Sequence, residues 1–179
     1  GTCCYWKSNF GHVLDHLQQH FYTLVASYSG FDDTEHSTFI SELDEVEKIE
    51  NYIKTNLDGK LFAAYGCSLG GSVVSLLVSR ENIHIEHAII GSSDMDQAPK
   101  WLAKLETAIM LPLIYPLISG QGSSFMRKKM EKKLKEGGEQ AEYMKQFMKI
   151  MGMDGSVDLS FMSKESAKNQ FYTDLYAKV

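Results

Sequence analysis

Long apolar runs are missing from this chain. The longest candidate, residues 108–118, carries Pro112 and Pro116 and falls short of the roughly 20 residues that span a bilayer, so no transmembrane segment is expected. Cysteine is scarce: Cys3, Cys4 and Cys67, two of them adjacent, suggest no disulfide framework, and a reducing cytoplasm is the expected location. A vicinal pair with no second cluster reads as packing rather than as a metal or redox pair. Excess positive charge is also lacking, with a net charge of −5. The basic run Arg127, Lys128, Lys129, Lys132, Lys133, Lys135 is broken by Glu131 and Glu136 and reads as a solvated helix face, so no nucleic-acid partner is expected. Histidine is absent from residue 88 onward. No cofactor is implied.

What is present suits one soluble globular domain. The 179 residues are 44% hydrophobic and 23% charged, enough for a sizeable core. The charge is uneven: residues 1–94 hold five Lys/Arg against thirteen Asp/Glu, and residues 95–179 hold thirteen against ten. All nine methionines and all three prolines also follow residue 94. An organisational boundary is therefore expected near Ser92-Ser93-Asp94.

Before that boundary, strand and helix patterns alternate. Trp6, Phe10, Val13, Leu14 and Leu17 recur at helical spacing and predict a helix over 9–19. The β-branched and aromatic run 21–28 predicts a strand ending at Gly30. Phe39, Ile40, Leu43, Val46, Ile49, Ile53 and Leu57 mark a long helix starting near Ser37 or Thr38 and stopping at Gly59. Residues 61–65 predict a strand, 72–78 a helix, and 83–90 a further strand. Such alternation implies βαβ units in a mostly parallel sheet with helices on both faces. Beyond the boundary the pattern is helical: Trp101, Leu102, Leu105, Ala108 and Ile109; then Met126, Met130 and Leu134; then Tyr143, Met144, Phe147, Met148 and Met151. A last helix is expected over 163–178. Methionine adapts to varied apolar partners, which fits a lid over a site as well as a plain helical core.

Between the strand 61–65 and the helix 72–78 stands Gly66-Cys67-Ser68-Leu69-Gly70-Gly71. A Gly-x-Ser-x-Gly in that setting reads as a nucleophile elbow, a sharp turn that presents a serine at the top of a sheet. Bulkier residues at Gly66 and Gly70 are expected to clash with the strand and helix around the strained serine. The helix N-terminus behind Ser68 favours an oxyanion. The competing reading is a glycine-rich turn whose serine merely caps the helix.

Histidine is harder to place. His84 and His87 lie inside a predicted strand, three apart and so on opposite faces. His12, His16 and His20 share a helix face at a spacing of four, but no glutamate completes a zinc-protease pattern and no metal site is expected.

On Gly66-Cys67-Ser68-Leu69-Gly70 and its strand–helix setting, the chain resembles the α/β-hydrolase fold family, firmly over 1–94 and loosely over a helical lid. The resemblance implies a serine hydrolase with Ser68 as nucleophile and backbone amides of Leu69 and Thr2 as oxyanion-hole donors. Thr2 enters by aligning Gly1-Thr2-Cys3 with the family's His-Gly-x motif. The family triad runs serine, acid, histidine, and here no histidine follows in a suitable place. Asp94 stands as a weak acid candidate, otherwise a loop cap. The resemblance thus implies a core at 1–94, a lid at 95–165, and 166–179 returning toward a core whose remaining strands, acid and histidine lie beyond Val179. The expected substrate is a small molecule, an ester, thioester or amide with an apolar acyl part. The alternative is a non-catalytic relative that uses the pocket to bind a small molecule or partner protein. Oligomeric state has no sequence signal.

Overall fold

The apolar residues of the first helical pattern fold as α1 (Trp6–Leu17) in a computed structural model that describes residues 2–93, 98–119, 132, 134, 135, 137–150 and 160–176. The next run departs from expectation. Residues 22–28 form neither helix nor strand and join no sheet among the described residues. Their anchors are rings: Phe21 stacks on Phe62 at 5.8 Å, and Tyr28 meets Phe39 at 6.1 Å. β-Propensity describes a surface that packs well beside a neighbour, and without a ladder partner the run is not a strand.

Helix α2 (Glu42–Asn56) begins at Ser41, whose Oγ accepts from the Asp44 amide at 3.1 Å. The expected start at Ser37 or Thr38 is too early, and the reason is tertiary. The Phe39 amide donates to Ser166 Oγ at 3.1 Å, and its carbonyl accepts from Asn169 Nδ2 at 2.8 Å. With both groups committed elsewhere, Phe39 cannot join a helical ladder.

The chain then forms a βαβ unit. Strand β1 (Lys60–Cys67) leads through α3 (Leu69–Arg80) into β2 (His84–Gly91), and the strands pair in parallel from Lys60 opposite His84 to Cys67 opposite Gly91. A parallel pair needs such a crossover helix. Among the described residues these two strands are the whole sheet. The fold is thus α/β, with a smaller sheet than the alternating pattern predicts.

After the boundary come α4 (Lys100–Ile118), α5 (Glu139–Ile150) and α6 (Lys164–Tyr176). The segment around Met126 and Met130 and the candidate Asp94 lie outside the described residues. Helix α4 forms where expected but buries the opposite face. Ala103, Thr107 and Leu111 are its buried stripe, while Trp101, Leu105 and Ile109 are exposed, Trp101 by 68%. It packs along α6, whose buried residues Ser166, Ala167, Gln170 and Thr173 are small or polar. Close helix approach over small side chains, with the Thr107 hydroxyl donating to the Ala103 carbonyl at 2.7 Å, leaves no apolar periodicity to read.

Two cores result. Val46, Ile53, Val73, Leu76, Leu77 and Ile83 join α2 and α3 to the start of β2. Cys3, Tyr5, Phe31, Phe39, Leu111, Met162 and Ala167 join the N-terminal turn to α4 and α6. Tyr28 packs against both. Each large side chain taken fully from water contributes on the order of 1.5–3 kcal/mol.

Candidate active site

Strand β1 ends in a turn whose geometry depends on two glycines. A Cβ at Gly66 would lie 1.9 Å from the Gly70 carbonyl oxygen and 2.8 Å from the Gly71 nitrogen, so only glycine lets the strand pass the first turn of α3. The second crowded position is Gly71, where a Cβ would lie 2.5 Å from Ser93 Cβ and 3.1 Å from Ile90 Cγ2. The clash expected at Gly70 is not found: a Cβ there meets only the Tyr28 hydroxyl at 3.7 Å, an ordinary contact.

Ser68 stands at the apex with φ 54° and ψ −127°. A non-glycine residue at positive φ is strained by about 1–3 kcal/mol and persists only where its surroundings hold it. Three bonds do so. The Ser68 amide donates to the Gly91 carbonyl at 2.9 Å, and its carbonyl accepts from the Gly71 amide at 2.7 Å and from the Ser72 amide at 3.3 Å. Its side chain makes no capping hydrogen bond to α3, so the serine is not retained there as a helix cap. Ser68 is partly exposed, whereas Leu69 is fully buried. The amides of Leu69 and Gly70 belong to the first turn of α3, where no intrahelical acceptor exists, and the dipole favours negative charge near them. Chemically, the arrangement is a hydroxyl beside the first amides of a helix.

The other candidates are less closely gathered. Thr2 donates its hydroxyl to Asp174 Oδ2 at 2.7 Å, and the next amide, Cys3, donates to Gln170 Oε1 at 2.7 Å. These bonds tie the N-terminal turn to α6, and no hydrogen bond joins Thr2 to Ser68. His87 pairs with Ala63 and His84 with Lys60. At about 3.3 Å per residue they attach roughly 13 Å and 23 Å back along the strands from the Cys67 level. His12, His16, His20 and His36 are exposed, His16 and His20 in ring contact at 5.7 Å. Among the described residues no histidine hydrogen-bonds to Ser68, and no three His, Cys, Asp or Glu side chains gather as a metal-ligand group.

One group near the turn has no sequence signal of its own. Glu42, the first residue of α2, is 1% exposed, and neither carboxyl oxygen has a hydrogen-bond partner among the described residues. Burial first, and then the charge of Asp174, push its carboxyl up to about 8. Tyr28, whose hydroxyl adjoins Gly70, is likewise raised by burial and then by Glu42, Glu45 and Asp174. Ser41-Glu42-Leu43-Asp44 is legible as a helix start, but nothing in it marks Glu42 as buried.

Neither a protein-family model nor a curated protein sequence matches this chain. Among solved structures it is similar to a crystal structure from Desulfitobacterium hafniense, a protein provisionally assigned to the alpha/beta hydrolase family. The TM-score is 0.67 at 14% sequence identity, over 98% of this chain and 65% of that one. The chain therefore has the α/β-hydrolase-like fold and spans 65% of that protein's length. At such identity the likeness speaks for fold alone. No described helix is long and apolar enough to cross a membrane.

Proposed function

We propose that Ser68 is the nucleophile of a serine hydrolase that cleaves an ester, thioester or amide with an apolar acyl part. The observation that carries this reading is the Ser68 backbone, held at φ 54° with a hydroxyl that caps nothing. Strain of this kind concentrates at functional sites. In the proposed reaction Ser68 Oγ attacks the carbonyl carbon, its proton passes to a base, and the developing oxyanion meets the Leu69 amide, with Thr2 as second donor. Expulsion of the alcohol, thiol or amine leaves an acyl-serine, and water then releases the acid. The base is an imidazole that none of the described hydrogen bonds to Ser68 supplies, and Asp94 is the candidate acid. Residues 95–165 serve as a lid, its apolar surface contributed by side chains such as Trp101, Leu105, Tyr143 and Phe147, all exposed.

The second reading, a non-catalytic relative that binds a small molecule or partner, is favoured by the same absence of a nearby imidazole. A fluorophosphonate probe separates the two. Labelling lost in Ser68→Ala supports the hydrolase, whereas no labelling of the wild-type protein favours the binder.

A further inference from the structure

Two histidines meet where α1 ends. His16 lies in the last turn of the helix, and His20 follows in the turn that leads the chain away. The backbone between them is fastened. The Gln19 amide donates to the His16 carbonyl at 3.3 Å, and the His20 and Phe21 amides both donate to the Leu17 carbonyl, at 3.0 and 2.9 Å. Phe21 in turn stacks on Phe62 of β1 at 5.8 Å, so the chain at His20 is tied to a helix on one side and a strand on the other. Residues four apart on a helical path share a face. Both imidazoles are exposed, and their rings meet at 5.7 Å, inclined by 76°. The sequence between Lys7 and Lys48 holds no lysine or arginine, and the carbonyl end of a helix favours a cation.

We propose that His16 and His20 form a two-point chelate for a transition-metal ion of the Zn²⁺ or Ni²⁺ class, which pins the end of α1 to the start of the run 21–28. Each neutral imidazole offers one nitrogen, at about 2.0–2.1 Å from such an ion, and two imidazoles on one tetrahedral ion have ring centres on the order of 5 Å apart. A small side-chain rotation from the 5.7 Å contact completes the pair. Water fills the positions that the protein leaves. Imidazole nitrogen selects zinc, nickel and copper over calcium and magnesium, which take oxygen ligands. A chelate of this kind needs no third side chain and no glutamate of a zinc-protease pattern. It is also independent of the chemistry proposed for Ser68. Phe62, beside which Phe21 stacks, precedes Ser68 by six residues, roughly 20 Å along a strand, so the ion acts as a staple. His12, one turn earlier and also exposed, has no ring contact among the described residues and serves as the control.

The experiment is calorimetric titration of the untagged protein with Ni²⁺ and with Zn²⁺ near neutral pH, with circular dichroism to show that each variant keeps its fold. Wild type should bind a single ion, and excess Mg²⁺ or Ca²⁺ should not displace it. His16→Gln and His20→Gln, both at exposed positions, should each weaken binding by about tenfold or more, whereas His12→Gln should leave it unchanged. Amide exchange supplies a second readout. An ion that must leave before the turn opens slows opening by the ratio of bound to free sites, so at free metal about ten times Kd the amides of residues 19–21 should exchange roughly tenfold more slowly. The double variant His16→Gln with His20→Gln should show no slowing. The proposal is overturned if that double variant binds as tightly as wild type, because the ion then sits elsewhere, as on the thiols of Cys3, Cys4 and Cys67. It is equally overturned if wild type shows no saturable binding, if Mg²⁺ or Ca²⁺ competes on equal terms, or if the amides of residues 19–21 exchange at an unchanged rate in saturating metal.

Discussion

The amide of Ser68 donates to the carbonyl of Gly91 at 2.9 Å, so the turn after β1 is fastened to the last residue of β2. The bond extends the parallel ladder by one rung past Cys67 and leaves Ser68 no freedom to relax toward a common backbone conformation. It also makes the turn depend on strand pairing. Whatever loosens β2 loosens Ser68.

The two glycines flanking that bond differ in what they tolerate. Gly66→Ala places a methyl 1.9 Å from backbone oxygen, which no side-chain shift can relieve. Denaturant unfolding should show a loss on the order of 2–4 kcal/mol. Gly70→Ala, with only the Tyr28 hydroxyl at 3.7 Å, should change stability by less than about 1 kcal/mol. Gly11 lies within α1 with nothing within 4 Å of its added Cβ, so Gly11→Ala should stabilise by roughly 0.5–1 kcal/mol. Equal losses at Gly66 and Gly70 would refute the steric account.

Strain at Ser68 predicts a trade between stability and labelling. Ser68→Gly removes the Cβ penalty at φ 54° and should raise the unfolding free energy by about 1 kcal/mol. It should also abolish reaction with a fluorophosphonate, as should Ser68→Ala. In an ester-hydrolysis assay, loss of the hydroxyl should cost on the order of 10³-fold or more in turnover. Labelling that survives either substitution would remove Ser68 from the chemistry.

Glu42 makes stability fall as pH rises. Its carboxyl ionises near 4.5 in the unfolded chain and at about 8 when folded. Below the lower value both states hold the proton and nothing is lost. Between the two values the unfolded chain sheds a proton that the folded chain keeps, so unfolding is progressively favoured; above about 8 the full penalty applies. The loss should amount to a few kcal/mol, because each tenfold change in proton affinity is worth about 1.4 kcal/mol. Urea midpoints for wild type and Glu42→Gln at pH values on either side of that window should diverge as pH increases. Parallel curves would show that Glu42 does not retain its proton on folding.

A gating role for the later helices has its own signature. Amides of α4 and α5 should exchange faster than those of β1, and should slow when an apolar acyl ligand is added. The exposed Trp101 and Tyr143, at 68% and 69%, should lose accessibility on the same addition, read by fluorescence quenching. Equal protection in α4, α5 and β1, unmoved by ligand, would describe a rigid helical unit.

Local chemistry by itself determined the βαβ unit. Period and punctuation in 60–91 suffice for a strand, a glycine turn, a helix and a strand, because each depends on neighbours within a few residues. The strain of Ser68 was legible for the same reason at Gly66, whereas Gly71, crowded by Ser93 and Ile90 from further along the chain, takes the place expected of Gly70. What depends on distant partners was not legible. Residues 21–28 have the composition of a strand, but a strand exists only where another offers its hydrogen bonds, and among the described residues none does. The apolar face of α4 was plain in sequence and is exposed, because α6 closes against the small stripe of Ala103 and Thr107. Glu42 looked like one more acidic residue at a helix start. Only the packing of the chain around it removed its water, and only that packing brought Asp174, 132 positions further on, close enough to hold its proton in place.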